Sequence, residues 1–92
     1  PKASDCYAAA VFYRQENIML DKALVWMNKA IEMTESPKFW QYRQQSLIMA
    51  ANNEYKNAVD AAKKSLELAT KADNQDYVKM NKESISEWSK KF

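Results

Sequence analysis

Apolar residues recur every three or four positions along most of the chain, which is the spacing of a helix with one buried face. The clearest case is KALVWMNKAIE at residues 22–32, and NAVDAAKKSLE at residues 57–67 repeats its pattern 35 positions later. Each apolar stripe covers about half of the helix surface, so we expect both helices to pack against two neighbours. The two stripes consist of Leu20, Ala23, Leu24, Met27, Ala30, Ile31 and Thr34, and of Tyr55, Ala58, Val59, Ala62, Leu66 and Ala69.

Periodicity and capping residues together predict five helices, at residues 4–16, 20–34, 37–51, 54–72 and 75–90. Ser4 and Ser36 are expected N-caps, because a short polar side chain can bond the free N–H groups of the first turn. Pro37 suits the first position of the third helix, where no backbone N–H is needed. The pairs Asn52–Asn53 and Asp73–Asn74 are expected to end helices, since Asn and Asp tolerate left-handed backbone geometry.

The odd-numbered helices repeat as well, with an offset of 36 residues that aligns residues 10–13 with residues 46–49. A hairpin loop one residue longer near Asn17 and Ile18 would explain why this offset exceeds that of the even helices. The chain is thus predicted to hold two tandem helical hairpins and a capping helix, at about residues 4–35, 37–72 and 75–90. A period near 35 residues is typical of solenoids, so we predict one all-α domain over residues 1–92, a right-handed stack.

The composition favours an all-α chain and argues against several other classes. The 92 residues include no glycine, whereas a β-rich fold would need glycine in its turns. The net charge is +2 with both signs interspersed, so we expect no nucleic-acid partner. No apolar run approaches the ~18 residues of a transmembrane helix, so we expect no membrane span. The chain opens at Pro1 rather than at methionine, which suggests a processed or excised piece.

Catalytic and metal-binding patterns are absent from the sequence. There is no histidine, which is the commonest general base and zinc ligand. Cys6 is alone, and we expect it to be a buried small residue of the first helix. The acidic pairs lie at helix starts or on polar faces, where negative charge is ordinary. We therefore predict a protein that is not an enzyme and has no catalytic residues, metal or cofactor.

The aromatic residues are expected to serve mainly in packing. Trp26 lies at the edge of its apolar stripe and suits a position between the repeats. Of Phe39 and Trp40, one should pack inward and the other be partly exposed. Trp88 and Ile85 are expected to fasten the closing helix onto the fourth.

The hairpins resemble the tetratricopeptide repeat. Ala10 and Tyr13 supply the small and aromatic pair of helix A, and Ala23, Met27 and Ala30 match helix B. The second repeat matches at Tyr42, Ser46, Met49, Tyr55, Ala58, Ala62 and Ser65, and Tyr77, Met80 and Asn81 open a third helix A. The resemblance covers about residues 4–90, although neither glycine position of the repeat holds glycine.

In tetratricopeptide arrays the A helices line a concave face that binds peptides, so the resemblance implies a groove along the odd-numbered helices. The positions carried over are Tyr7, Val11, Arg14, Trp40, Arg43, Gln44, Leu47, Val78, Lys79 and Lys82, and none of them is acidic. The implied ligand is an acidic and partly apolar peptide segment. The carboxylate clamp of chaperone-binding repeats is not expected, because Tyr7 and Val11 stand where it needs Lys and Asn.

A second resemblance concerns the C-terminal half. AKKSLELA at residues 62–69 and DYVKMNKESISEW at residues 76–88 are similar to the helical part of a bacterial family of unknown function. Members of that family carry a β-rich domain ahead of tetratricopeptide-like helices, usually behind an export signal. This resemblance implies a periplasmic or cell-envelope location; otherwise a cytoplasmic one is expected.

Together these features predict a non-catalytic protein–protein interaction module whose partner is a protein or peptide. Two alternatives remain open. The helices could be a structural appendage that packs on an upstream domain of the same chain through Tyr7, Trp40 and Leu47. They could also be the accessory part of an enzyme whose catalytic groups lie upstream.

Overall fold

The computed structural model describes residues 2–92 and contains five α-helices in this part of the chain. They are α1 (Ala3–Glu16), α2 (Leu20–Glu32), α3 (Phe39–Ala51), α4 (Tyr55–Lys71) and α5 (Gln75–Trp88), followed by a 3-10 turn at Ser89–Lys91. No residue from 2 to 92 lies in a β-strand, so the all-α prediction is confirmed. None of these helices has the length and apolar character needed to cross a membrane.

Each helix packs against the next one along the chain, and the odd-numbered helices also touch, α1 with α3 and α3 with α5. The pairs α1–α2 and α3–α4 are therefore two hairpins, and α5 lies on the second. Helix α2 contacts α1 and α3, and α4 contacts α3 and α5. This arrangement confirms that each broad apolar stripe serves two neighbouring helices.

Three helices end in the same way, on a non-glycine residue with a left-handed backbone. Asn17, Asn53 and Asp73 have φ angles of 54°, 62° and 55°. The N–H of the next residue then bonds a carbonyl five residues back. These bonds run from Ile18 to Tyr13, from Glu54 to Met49 and from Asn74 to Ala69, at 3.0, 2.9 and 2.9 Å. Glycine is the usual residue at such an end, and Asn and Asp are the ones that can replace it, so the helices end without glycine.

The first hairpin loop is one residue longer than the second, as the two offsets predict. Ile18 and Met19 separate the left-handed Asn17 from α2, whereas Glu54 alone separates Asn53 from α4. The additional residue Met19 is itself left-handed, with φ 47°, which is uncommon for a side chain of this size.

The start of α3 differs from the prediction. The helix begins at Phe39 rather than Pro37, and its N-cap is Lys38 rather than Ser36. The reason is that Gln41 lies in the first turn, and its Oε1 accepts a hydrogen bond from the backbone N–H of Lys38 at 2.7 Å. This side chain satisfies the cap from inside the helix, so no serine is required before it.

Helix α1 has the same kind of start, so Ser4 is not its cap. The helix begins at Ala3, and the carboxylate of Asp5 accepts a hydrogen bond from the backbone N–H of Lys2 at 3.2 Å. At the other end of the chain, α5 stops at Trp88 and the 3-10 turn continues helical structure past the predicted end at residue 90.

Small residues dominate the core, which lets neighbouring helices approach closely. Met27 and Ile48 are the largest apolar side chains that are completely buried, and Cys6 is buried as expected. Val25, on the opposite side of α2, is 65% exposed, which confirms the predicted stripe. Trp26 packs against the cluster that contains Met27 and Ile48, and it also lines a recess with Cys6 and Ala9 of its own hairpin. The completely buried alanines are Ala10, Ala23, Ala30, Ala58, Ala62 and Ala69.

Helix α3 contacts the first hairpin through one face, which we call its docking face. The face consists of Gln41, Gln45, Ile48 and Asn52. Ile48 packs with Ala10, Ala23 and Met27 of the first hairpin. Around it, the side chains of Gln41, Gln45 and Asn52 donate to the Thr34 hydroxyl, the Asn28 amide oxygen and the Leu20 carbonyl, at 3.5, 3.0 and 2.9 Å.

Helix α5 contacts the second hairpin through the residues that follow these by 36 positions, Tyr77, Asn81, Ser84 and Trp88. Trp88 packs with Ala58, Val59 and Ala62, and Ile85 adds to this cluster, as predicted. The other contacts join the Tyr77 ring to the Phe39 ring at 4.8 Å, Asn81 to Ser65 at 2.8 Å, and Ser84 to Arg43 at 2.9 Å. The docking face therefore recurs with the spacing of the odd-numbered helices.

Candidate functional site

Hydrogen bonds join the three odd-numbered helices along one side of the molecule, which we call the odd-helix face. On α1, Nε of Arg14 donates to Oε1 of Gln44 on α3, at 2.8 Å. The preceding residue of α3 is Arg43, whose Nη1 donates to Oγ of Ser84 at 2.9 Å and to Oδ1 of Asn81 at 3.2 Å, both on α5. Arg14 and Arg43, which were predicted to line a groove, thus lie on this face, and each bridges a pair of helices.

Arg43 belongs to a chain of hydrogen bonds that enters the core. Asn81, which accepts from Arg43, donates through Nδ2 to Oγ of Ser65 at 2.8 Å. The Ser65 hydroxyl donates in turn to the Phe39 carbonyl at 2.8 Å. Every buried side-chain nitrogen or oxygen between residues 2 and 92 has a partner, so the network is complete. Arg43 therefore holds α5 onto α3, a role that the sequence did not predict.

The guanidinium of Arg43 keeps donors for a ligand. A guanidinium has five N–H groups, and all the bonds of Arg43 to residues 2–92 come from Nη1, including a long one of 3.5 Å to the Met80 carbonyl. Burial lowers the pKa of Arg43 below its usual value, nearby Tyr77 opposes this change, and the positive charge of Arg14 adds to it. Arg14 bonds Gln44, the residue that follows Arg43 on α3, so the two arginines are neighbours across the α1–α3 contact.

Two tyrosine hydroxyls belong to the same electrostatic cluster. The pKa of Tyr7 is raised above its usual value, chiefly by burial and next by Tyr77, while Arg14 lowers it. Tyr7 and Arg14 come from α1, Arg43 from α3 and Tyr77 from α5, so the cluster spans all three helices. Tyr77 was not among the predicted lining residues. An aromatic residue in the first turn of α5 was the feature of the sequence that could have indicated its place in this cluster.

No acidic side chain within residues 2–92 pairs with these arginines. The one ion pair of that part of the chain joins Lys71 and Glu67 at 3.3 Å on the exposed side of α4. Two neighbouring positive charges without a counter-charge favour the binding of an anion between them. A carboxylate is the best match, because it can accept two parallel N–H bonds from an arginine.

Three of the apolar residues predicted to line a groove pack against the core clusters. Tyr7 and Val11 pack against the core cluster of the first hairpin, and Leu47 packs against that of the second. Trp40 is 43% exposed and stands edge-on to the half-buried Phe39, with 5.0 Å between the rings, so Trp40 is the exposed member of that pair. The odd-helix face therefore offers apolar surface beside the two arginines.

The three residues predicted on α5 differ in exposure. Lys79 and Lys82 are exposed, and Val78 is half-buried. Counting 36 residues, Lys79 is the equivalent of Arg43, which lies on the odd-helix face. Val78 is the equivalent of Tyr42, whose ring lies under Lys64 of α4 rather than on that face. By this equivalence Lys79 is the residue of α5 best placed to join the arginines.

An apolar recess adjoins the odd-helix face at Trp40. It has a volume of about 440 Å³ and lies between the start of α3 and the end of α4. Two lysines, Lys38 and Lys71, stand among mostly apolar neighbours. The lining residues are Ser36, Pro37, Lys38, Phe39, Trp40, Leu68, Lys71 and Ala72. A ligand that crosses the odd-helix face can therefore place an apolar side chain beside Trp40.

Between residues 2 and 92, no three His, Cys, Asp or Glu side chains are placed to hold a metal ion. No protein-family model matches the chain, and no curated protein or solved structure is significantly similar to it. The geometry of the odd-helix face is therefore what bears on the function.

Proposed function

We propose that this protein is a non-catalytic interaction module that binds an acidic, partly apolar peptide segment on its odd-helix face. The proposal includes a tetratricopeptide-like arrangement, a right-handed stack of two hairpins closed by α5. It is supported by the direct contacts of α1 with α3 and of α3 with α5, and by the docking face that recurs after 36 residues. The absence of histidine and of a metal-ligand cluster between residues 2 and 92 gives no support to a catalytic role.

The observation that carries the proposal is the pair formed by Arg14 and Arg43. The two side chains come from adjoining helices, and Arg14 bonds Gln44, the residue next to Arg43. Burial is the main cause that lowers the pKa of Arg43, and the charge of Arg14 adds to it. Holding like charges together is unfavourable unless an anion joins them. A carboxylate of the ligand between the two groups would relieve this repulsion and use the donors that Arg43 keeps.

The remaining features of the face describe the rest of the ligand. Trp40 and the recess beside it suit an aliphatic or aromatic side chain of the peptide. Lys79 supplies a further positive charge at the α5 edge. Because three helices make only a short groove, the interface is expected to stay below the ~1,200 Å² of a stable complex, so binding is weak. It should also weaken with salt, since charges at the surface are screened within about 8 Å at physiological ionic strength.

The test uses a series of synthetic twelve-residue peptides that share one leucine-containing sequence and carry zero, two or four glutamates. Each peptide is made with a free and an amidated C-terminus, which separates recognition of side chains from recognition of a chain end. Binding is followed by amide and indole NMR shifts, with Trp40 as the expected reporter. We expect affinity to rise with the number of carboxylates and to fall as salt is added.

The informative variant is Arg14→Glu, because within residues 2–92 the side chain of Arg14 bonds only Gln44, whereas a change of Arg43 would also disturb the hydrogen-bond network that enters the core. Lys63→Glu changes the charge equally at an exposed position of α4 and serves as the control. We expect Arg14→Glu to abolish the preference for acidic peptides and Lys63→Glu to preserve it. If both variants bind all peptides as the wild type does, the odd-helix face is not the site, and the appendage alternative takes its place.

A further inference from the structure

Helix α1 presents an uncovered version of the docking face. Counting back 36 residues from the docking face of α3 leads to Asp5, Ala9, Phe12 and Glu16. No helix within residues 2–92 covers Phe12, which is 54% exposed, whereas its equivalent Ile48 is 0% exposed. Asp5 and Glu16 are exposed as well. The same position of the repeat is therefore core in the second hairpin and surface in the first.

A recess beside this face adds room for another apolar side chain. It has a volume of about 130 Å³ and is lined by Asp5, Cys6, Ala9 and Trp26. Cys6 is buried and Trp26 is half-buried, so the floor of the recess is apolar. Together with Phe12, the recess gives this side of α1 an apolar centre between two acidic ends.

The way α2 covers α3 shows how a helix is seated on such a face. Asn52, at the end of α3, bonds the carbonyl of Leu20, the first residue of α2. Gln41, in the first turn of α3, bonds Thr34, just past the end of α2. Helix α2 therefore runs antiparallel to α3, with its N-terminus beside the C-terminus of α3.

Transferred to α1, this geometry assigns a role to each acidic residue. Glu16 takes the place of Asn52 and lies beside the N-terminus of the docked helix, where a negative charge is favourable. Asp5 takes the place of Gln41 and lies beside the C-terminal end, where a lysine or arginine of the docked helix can pair with it. The acidic ends thus select both the direction and the charge of the occupant.

We propose that the outer face of α1, formed by Asp5, Ala9, Phe12 and Glu16, binds an amphipathic helix of a partner protein. The bound helix runs antiparallel to α1, places an apolar stripe on Phe12 and the adjoining recess, and carries a basic residue in its last turn beside Asp5. This surface is separate from the odd-helix face, so the proposal does not depend on peptide binding there.

The probe is a synthetic peptide with the sequence of residues 18–34 in which Thr34 is replaced by lysine, because α2 already fits the equivalent face of α3. A second peptide carries Thr34→Glu instead, and a scrambled peptide of the first composition is the negative control. The full 92-residue chain is titrated with each peptide and followed by NMR. We expect shifts in the amides of α1 and in the indole of Trp26 with the lysine peptide, and weaker binding of the glutamate peptide.

Two protein variants separate the apolar and the charged contributions. Phe12→Ser removes apolar surface from the face and should weaken binding at least about tenfold. Val25→Ser removes exposed apolar surface from α2 and should leave the affinity unchanged. Asp5→Asn keeps an oxygen for the bond to the backbone of Lys2, and should abolish the difference between the lysine and glutamate peptides.

Three results would overturn the proposal. The first is the absence of any shift in α1 at millimolar peptide, and the second is equal affinity of wild type and Phe12→Ser. The third is a dimer in sedimentation experiments that Phe12→Ser dissociates, because a second copy of the chain would then cover the face. The acidic-peptide test has a separate outcome, since Arg14→Glu and Phe12→Ser alter different surfaces.

Discussion

Helices α3 and α5 dock on the hairpin before them through the same helix face, yet different chemistry holds each of them. On α3 the buried apolar side chain is Ile48, in the middle of the face, and the side-chain amides at either end form hydrogen bonds with the first hairpin. On α5 the middle of the face holds the polar Asn81, and the buried apolar side chain is Trp88, at the end of the face. The contacting positions thus keep the same spacing on both helices, but the apolar contact lies in the middle of the face on α3 and at its end on α5.

The difference follows from what lies beneath each face. Ile48 lies over Ala23 and Met27, which offer no hydrogen-bonding group, so an apolar side chain is the stable choice there. Asn81 lies over Ser65, whose hydroxyl is completely buried and needs a partner. Helix faces with the same residue spacing can therefore carry either kind of contact, provided that the two surfaces match.

The largest effect is expected from removing α5 altogether. A chain that ends at residue 73 exposes the apolar side of α4, including Val59 and Ala62, which Trp88 covers. Stacked helices need an end with one polar face, so we expect aggregation or loss of cooperative unfolding. Removing only residues 91 and 92 is the control and should leave unfolding cooperative. Sedimentation and thermal denaturation measure both outcomes, and a cooperative monomer ending at residue 73 would contradict this account.

The next largest effects are expected where one face has a buried apolar residue and the other has a polar one, at Ile48 and Ser84 and at Asn52 and Trp88. Trp88→Ala should cost about 3–5 kcal/mol of unfolding free energy and Ile48→Ala about 2–5 kcal/mol, because each opens a cavity in a core cluster. Their equivalents should cost much less, about 1 kcal/mol for the hydrogen bonds lost in Asn52→Ala and Ser84→Ala. Denaturant unfolding of the four variants measures the pattern. Similar losses of unfolding free energy in Asn52→Ala and Trp88→Ala would show that Trp88 is not the main apolar contact of α5.

A smaller difference in unfolding free energy is expected between Asn81, whose amide is buried, and Gln45, the equivalent residue of α3, whose bond is exposed. Asn81→Ala should cost about 1–3 kcal/mol, because it leaves the buried Ser65 hydroxyl without its donor and removes an acceptor from Arg43. Gln45→Ala removes only an exposed bond to Asn28 and should cost less than about 1 kcal/mol. Equal unfolding midpoints for the two variants would mean that the network adds nothing to the attachment of α5.

The smallest effect is expected at high pH and concerns Tyr7 of α1. Its folded-state pKa is raised above the value of about 10 in the unfolded chain. The resulting contribution to stability is complete below pH 10 and is lost as the pH rises through the folded-state pKa. The wild type should therefore lose slightly more stability than Tyr7→Phe between pH 9 and 11. Identical pH profiles in denaturant would show that Tyr7 is not held in a buried, interacting position.

Local patterns account for most of the secondary structure. The positions of the helices follow from apolar spacing, and their ends follow from Asn and Asp residues, because both properties act within a few residues of the chain. The buried stripe of α2 was predictable for the same reason, with Ala23 inside and Val25 outside. The start of α3 was mispredicted because a cap can come from either side of the helix end, and here Gln41 supplies it from within.

The candidate site was predictable in position but not in partners. The resemblance to the tetratricopeptide repeat implied that Arg14 and Arg43 lie on one side of the odd helices, and in the structure Arg14 bonds Gln44, which follows Arg43. Arg43 bonds Ser84 and Asn81, which lie about forty residues further along the chain. These bonds depend on how α5 is rotated about its axis where it packs on α4. No local pattern encodes such a rotation, so the position of Tyr77 beside Tyr7 and Arg43 became visible only in the fold.

The sequence by itself determined the all-α character, the five helices, the two hairpins and their 36-residue register, since these depend on composition and short-range spacing. The tertiary structure alone decided which copy of the docking face is covered. Phe12 and Ile48 occupy equivalent positions, and both are apolar, so their sequences predict the same burial. One is surface and the other core because burial depends on whether a neighbouring helix lies across the face, which is a property of packing between distant segments.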